Sequence, residues 1–400
     1  MIPHTPAGDG PPVVDPSPAA QARELAEHAR ELAERVVRPS AADRDRDRRW
    51  DPALFAALAA AAPGGPSLTG ALVPAALGGS GLSATQTCAL LHGLGEGARD
   101  PGLALALGVH AVLATVPLRA FGTPAQRERY LPRTASAEWL GTLSLRQTQG
   151  AALSPAVTAR PALAAPGTWL LSGELDLVPL AHRAHHFLVV AAHDDGRRTA
   201  FVLDRTATTR LLVQDDTPAA MPTADWGRIT LTDSPAPPEA VLGTVGEAAS
   251  EVEPLLATLD WVFTSAPWLG VLRALTHDAV DAARERRLFG RPLAHAQSAR
   301  FVLADLVTRC ELAEGLLYRA AAQFDAGGRP SPHDAAAARL FVAGAARTVA
   351  EGAARLSGPL ARAGDHLIER AHRDALFFAG TGGGSEVLRP VIASSLLGLG

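Results

Sequence analysis

The sequence predicts an α+β chain in three parts: an N-terminal helical domain, a central antiparallel β-barrel or sandwich domain, and a C-terminal four-helix bundle. Three observations carry this. Apolar residues recur at helical spacing in AAQARELAEHARELAERVV; short β-rich segments bounded by Asp, Gly, Pro and Thr follow Trp139; long amphipathic stretches return from Ala266. The expected boundaries are a disordered tail over 1–18, helices over 19–137, the β-domain over 138–245 and the bundle over 246–400.

The opening MIPHTPAGDGPPVVDPSP is rich in Pro and Gly and lacks the basic and apolar regions of a signal peptide. DRDRDRR, Asp43 to Arg49, reads as a solvated surface of alternating charge. Ser83 with Gln86, and Thr123 with Gln126, have the form of capping boxes, the second with Pro124 at the first helical position. WLLSGELDLVPL, HHFLVVAAH, TAFVLD, TRLLVQD and GRITLT are the expected strands. In the bundle, a helix from Ala266 stops at Gly290, and QSARFVLADLVTRCELAEGLLYRAAAQF is ended by Gly327. A third helix starts at Ser331-Pro332, and DHLIERAHRDALFF forms a fourth.

Composition narrows the chemistry. With 400 residues and 47% hydrophobic content the chain can bury a large core, and its net charge of −4 argues against nucleic-acid binding. No uncharged apolar run suited to a membrane span is expected, and Cys88 and Cys310, far apart, indicate a reduced, cytoplasmic protein. All 37 Lys and Arg positions are Arg. That excludes lysine Schiff bases, pyridoxal phosphate attachment and the Walker phosphate loop. His182, His185 and His186 resemble a metal cluster, but strand alternation sends the last two to opposite faces, so no metal is expected. No Gly-x-Ser-x-Gly elbow is present.

VPAALGGSGLS (Val73–Ser83), FGTPAQRERYLP (Phe121–Pro132), TAFVLDR with Val241-Leu242-Gly243, RERRLFGRPLAHAQSARFVLADL (Arg284–Leu306) and RDALFFAGTGGGSEVLRPVIA (Arg373–Ala393) follow one another in order. Together they resemble the acyl-CoA dehydrogenase family, as a divergent member, over roughly Ala20 to the C-terminus. The resemblance implies a flavoenzyme that oxidises the α,β C–C bond of an acyl thioester. In that reaction a carboxylate removes the α-proton while FAD accepts a hydride from the β-carbon. It also implies an acyl-CoA or acyl-carrier-protein substrate and a homodimer or homotetramer, or a hetero-oligomer with a homologue.

The family's usual base is a Glu just before the C-terminal Gly-Thr, and Ala379 stands there. Other members carry the carboxylate on the bundle's first long helix, a spacing that reaches Asp260 through Gly270. The resemblance therefore assigns the base to Asp260. The competing reading is an Asp satisfying backbone N–H groups at a helix N-terminus. Glu386 matches a non-catalytic family position. Arg286, Phe289 and Gln297 match contacts to the FAD pyrophosphate and adenine half, across a subunit interface; Gly380 and Thr381 lie at the flavin side.

The β-domain departs from this pattern. Leu145 and Ala151 stand where hydroxyls bond the ring system, Leu177 replaces a flanking Trp, and Pro179 replaces a Thr. Two alternatives follow: a member without flavin doing proton transfer, elimination or cyclisation through Asp260, or a non-catalytic subunit paired with a catalytic homologue.

Overall fold

The structure, a computed structural model, describes residues 18–60, 65–152, 154–327, 331–358 and 366–398. The expected tail lies outside these residues up to residue 17, and so does the side chain of Ala151. The N-terminal helices are α1 (Pro18–Val36), α2 (Ala41–Arg46), α3 (Pro52–Ala59), α4 (Ala84–Ala98), α5 (Pro101–Gly108), α6 (Thr115–Phe121) and α7 (Pro124–Ala135), with a π-helical turn, Val109–Ala114, between α5 and α6. Both capping boxes form: the Ser83 and Thr123 hydroxyls each accept from the backbone N–H three residues on, and the Gln side chains reach back.

The strands are β1 (Gly141–Leu143), β2 (Val157–Pro161), β3 (Trp169–Val178), β4 (His186–Ala192), β5 (Arg198–Asp204), β6 (Leu211–Asp215), β7 (Gly227–Ala236) and β8 (Val241–Leu242). They run β6-β7-β3-β2-β4-β5-β8, with β1 paired to β4. The expected purely antiparallel sheet is corrected, since β1 and β2 both pair with β4 in parallel. These two strands carried no clear alternating run. They reach β4 through crossovers rather than hairpins, so no turn signal marks them. Val157, Phe187, Phe201 and Ile229 form the sheet's own core.

The C-terminal helices are α8 (Val252–Phe263), α9 (Ser265–Glu285), α10 (Gln297–Asp325), α11 (Pro332–Ser357), α12 (Leu367–Gly380) and α13 (Gly384–Leu397). The helix expected to run to Gly290 stops at Glu285. A hairpin of β9 (Arg287–Leu288) and β10 (Arg291–Pro292) follows, with Phe289 and Gly290 in left-handed backbone at its turn.

One expectation from composition needs qualifying and a second is overturned. Pro101–Phe121 and Val252–Glu285 are long and apolar enough to cross a bilayer, but the apolar stretch of each is buried inside the protein and serves as core. The Asp43–Arg49 run is not a solvated face throughout. Arg44 is buried and pairs with Asp100 at 2.9 Å, and the buried Asp45 accepts two hydrogen bonds from Arg373 of α12. Alternation of charge identified polar residues, but each ion found its partner in a distant segment and so could be buried.

Candidate active site

Asp260 lies in the last turn of α8, not at a helix N-terminus; the break that follows is capped by the Thr264 N–H donating to the Asp260 carbonyl at 3.1 Å. A carboxylate at the negative end of a helix is unfavourable unless compensated. It is only 2% exposed, so compensation must come from the protein. The Thr148 hydroxyl, on a 3₁₀ segment of the β-domain (Leu145–Ala152), lies 2.7 Å from Oδ2 and 2.9 Å from the Leu145 carbonyl, so its one proton is shared between them. The Thr264 hydroxyl lies 3.0 Å from Oδ1 and 2.6 Å from the Asp260 carbonyl, so its one proton is shared between them.

The positive charge comes from Arg339 of α11, which is 1% exposed. One guanidinium nitrogen donates to the Thr264 hydroxyl at 2.7 Å. The other donates to the Phe378 carbonyl at 2.8 Å and the Thr381 hydroxyl at 2.7 Å. The group lies 3.6 Å from the centre of the Phe378 ring. Burial lowers its pKa to about 10 against the opposing pull of Asp260, which leaves it charged at neutral pH.

Above this pair runs the glycine loop. Gly382, Gly383 and Gly384 have φ of 67°, 93° and 59°, conformations that side chains resist. The Trp261 indole N–H donates to the Gly382 carbonyl at 2.9 Å. A Cβ on Gly382 would lie 3.0 Å from Asp260 Oδ2. The loop's backbone therefore closes directly over the carboxylate.

Among the other predicted residues, Thr381 joins this cluster with its hydroxyl turned inward, accepting from Arg339 and donating to Phe378 O. Gly380 is its exposed neighbour, and Glu386 stands on the exposed first turn of α13, bonded by Ser385. Arg286, Phe289 and Gln297 form a second group. Arg286 donates to the Leu356 carbonyl at the end of α11, at 3.0 Å. Phe289 is 97% exposed, and Gln297 is exposed at the start of α10, where Ala296 provides no side-chain cap. On the β-domain side Leu145 is buried and Leu177 is held at φ 49°. The nearby Thr142 and Ser144 hydroxyls are committed to the carbonyls of Pro179 and Asp176. A cavity of about 220 Å³ beside the Thr148 segment is lined by Arg146, Gln147, Leu175, Val190 and Glu253, the last paired with Arg198 at 2.8 Å.

Sequence reasoning missed Arg339, Thr148, Thr264 and Trp261. Arg339 left a signal: it is a lone charge on the buried face of AAAARLFVAGAA, at helical spacing from Ala335, Ala336 and Val342. The threonines left none.

A helical domain, a mixed sheet and a helical bundle, with a buried carboxylate under a C-terminal glycine loop, match one class of oxidoreductase. The model of the acyl-CoA dehydrogenase N-terminal domain matches residues 19–138, and that of its C-terminal domain matches 262–397. The acyl-CoA dehydrogenase of Bacillus subtilis (strain 168) is 27% identical over 300 residues, 74% of this chain and 78% of its own length. The solved butyryl-CoA dehydrogenase of Megasphaera elsdenii superposes with a TM-score of 0.86 at 25% identity, over 96% of this chain and all of that one. The solved FAD complex of PigA shares the fold, with a TM-score of 0.85 at 22% identity over 96% of this chain and 99% of its own. The chain belongs to the acyl-CoA dehydrogenase family, a family of oxidoreductase enzymes.

Proposed function

We propose that the protein is an FAD-dependent dehydrogenase of an acyl thioester, carried by acyl-CoA or an acyl carrier protein, with Asp260 as the base for the α-proton. The observation that carries this reading is the approach of Gly382 to Asp260 Oδ2. A carboxylate has about four lone-pair sites, and among the described residues only Thr148 and Thr264 engage this one. The missing side chain leaves the loop side of Oδ2 as the route for a substrate α-carbon. The two hydroxyls orient the Asp260 carboxylate, and Arg339 brings a positive charge to the same cluster, an arrangement that suits a general base. The loop must lift for the thioester to enter, and the cavity beside Gln147 gives room at the same seam.

FAD, when bound, accepts the hydride from the β-carbon. At its nucleotide end the residues present suit it: an uncapped helix N-terminus at Gln297 favours the pyrophosphate, and the exposed Phe289 ring favours stacking. At its ring end this chain offers apolar packing from Leu145 and Leu177 in place of side-chain donors. The exposed Phe289, Phe301, Leu396 and Leu397 support assembly with further copies.

The test is the visible spectrum of the purified protein and its bleaching by acyl thioesters. The expected outcome is a yellow protein bleached by one thioester class, and an Asp260→Asn variant that keeps the colour and loses bleaching. A colourless protein that ignores added FAD sinks the redox reading. It would favour the non-redox alternative, proton transfer through Asp260, which the apolar ring end supports.

A further inference from the structure

Away from Asp260, α1, the start of α4 and the middle of α10 enclose a half-open cavity of about 670 Å³. Part of its wall is small residues, Ala22, Ala26, Gly315 and Ala322, with Ser83, Thr85 and Gln86 at the α4 side. Gly315 is the informative one. It sits inside a helix of 29 residues, where Gly costs about 1 kcal/mol relative to Ala. A Cβ there would meet no heavy atom within 4 Å. Packing among the described residues does not require the glycine, so its effect is to keep the space open.

The remaining lining defines the occupant's charge. His92 and Tyr318 contribute rings, with His92 Nδ1 3.3 Å from the Tyr318 hydroxyl. Burial lowers the His92 pKa to about 4, so this pair is neutral at neutral pH. Among the described residues His92 Nε2 has no hydrogen-bond partner; the Glu96 carboxylate lies 3.9 Å away. The carboxylates in the lining are already committed. Asp325 accepts from the Ala84 and Thr85 N–H groups, and Glu314 pairs with Arg273. Arg23 has no ion pair or hydrogen bond among the described residues, and the Gln21 amide beside it only accepts weakly from Gln86, at 3.4 Å. Among these residues Arg23 is an exposed cation without an ion pair at the rim of small apolar walls and a neutral pair of rings, while both oxygens of the unpaired Asp325 carboxylate are turned onto the α4 backbone; this arrangement is complementary to an anion with an apolar body.

We propose that this cavity is a second binding site, separate from the Asp260 cluster, for a small carboxylate with an apolar tail. The carboxylate meets Arg23 and the Gln21 amide. The tail lies along Ala22, Ala26 and Gly315 toward the Tyr318 and His92 rings.

The test uses the full chain and calorimetric titration with octanoate, octanol and octylamine. Octanoate is expected to saturate a single site, with octylamine about tenfold weaker or more. Arg23→Gln is expected to weaken octanoate about tenfold and leave octanol within about twofold, because only the charged contact is lost. Gly315→Leu fills the space and weakens both; it improves helix propensity, so the fold is retained. Asp260→Asn is expected to bind octanoate as the parent does, which separates this site from the proposed active site whatever the fate of that reading. No saturation, equal binding of octylamine, an unaffected Gly315→Leu, or loss of binding in Asp260→Asn overturns the proposal. So does dissociation of an oligomer by Gly315→Leu on size-exclusion chromatography, which would make the cavity a subunit contact.

Discussion

The residues that the sequence singled out divide between two regions that satisfy their polar and apolar groups in opposite ways. Around Asp260 every charge is answered inside the chain: Thr148 comes from the β-domain, Thr264 from a helix break, Arg339 from α11 and the glycine loop from beyond α12. At the β9–β10 hairpin nothing answers Phe289, whose ring is almost wholly in solvent on a left-handed residue. A sealed region couples to the stability of the fold. An open one couples to whatever comes to cover it. Substitutions in the first should therefore move unfolding, and substitutions in the second should move binding.

The largest effect is expected from Arg339→Met. Among the described residues it removes the only cation hydrogen-bonded into the cluster and leaves the buried Asp260 with its two threonine hydroxyls alone, which costs about 3 kcal/mol. Chemical denaturation measures it. A double variant, Arg339→Met with Asp260→Asn, should recover a large part of the loss, because the orphaned charge goes with its partner. If the single variant is as stable as the parent, the region is not sealed as described.

Next comes a pH effect from the interior beside β1. His110 accepts from the Gly141 N–H at 3.1 Å and lies 3.0 Å from the Thr134 carbonyl, so it is neutral with its proton on Nε2. His186 packs 4.8 Å from Tyr130 with neither ring nitrogen bonded. Burial lowers their pKa values from 6.5 to about 4 and about 3. The unfolded chain binds these protons first, so stability is full above pH 6.5 and falls as pH drops through that window toward the lowered values. The loss is on the order of 3 kcal/mol for His110 and on the order of 5 kcal/mol for His186 by the end of each window. Denaturation midpoints measured across pH should show this slope, and His110→Gln should flatten it.

How much of this was legible depended on sequence distance. The capping boxes at Ser83 and Thr123 were readable because donor and acceptor sit three residues apart. β3 to β7 were readable from β-rich composition and turn residues at their ends. Asp260 was reached only by spacing from a resembled motif, which left the helix N-terminal reading open, because whether an Asp begins or ends a helix depends on the break at Thr264. Arg44 and Asp45 were misread for the same reason: their partners, Asp100 and Arg373, are far along the chain, and local charge patterning carries no record of them. Thr148 has no local signature, since a threonine in a loop has many uses before it has a partner.

A smaller effect is expected at the lid of the sealed region. Gly382→Ala must hold a side chain at φ 67° and place its Cβ 3.0 Å from Asp260 Oδ2. The left-handed backbone alone costs about 1 kcal/mol, and the contact adds a displacement of the loop. Stability should fall by about 1–2 kcal/mol. Gly384→Ala has a similar φ, but its Cβ meets nothing closer than Glu386 Oε2 at 3.2 Å, the end of an exposed side chain. The two variants should therefore differ in turnover more than in stability. Equal loss of turnover in both would mean that the approach to Asp260 has no functional part.

The smallest change in stability, and the sharpest contrast, belongs to Phe289→Ala. The ring is 97% exposed, so deleting it removes almost no buried apolar area and should shift unfolding by less than about 0.5 kcal/mol. Relief of the left-handed conformation does not enter, because alanine resists φ 51° as phenylalanine does. If the ring stacks on the nucleotide end of FAD or on a second copy of the chain, the same substitution should release flavin on gel filtration or lower the oligomer's dissociation threshold. Gln297→Ala, one helix start away, should act in the same direction for flavin but not for assembly, which separates the two uses of the hairpin. A Phe289→Ala protein that unfolds much more easily, yet keeps its flavin and its size, would erase the distinction between the regions, because the exposed ring would then be part of the fold's own packing.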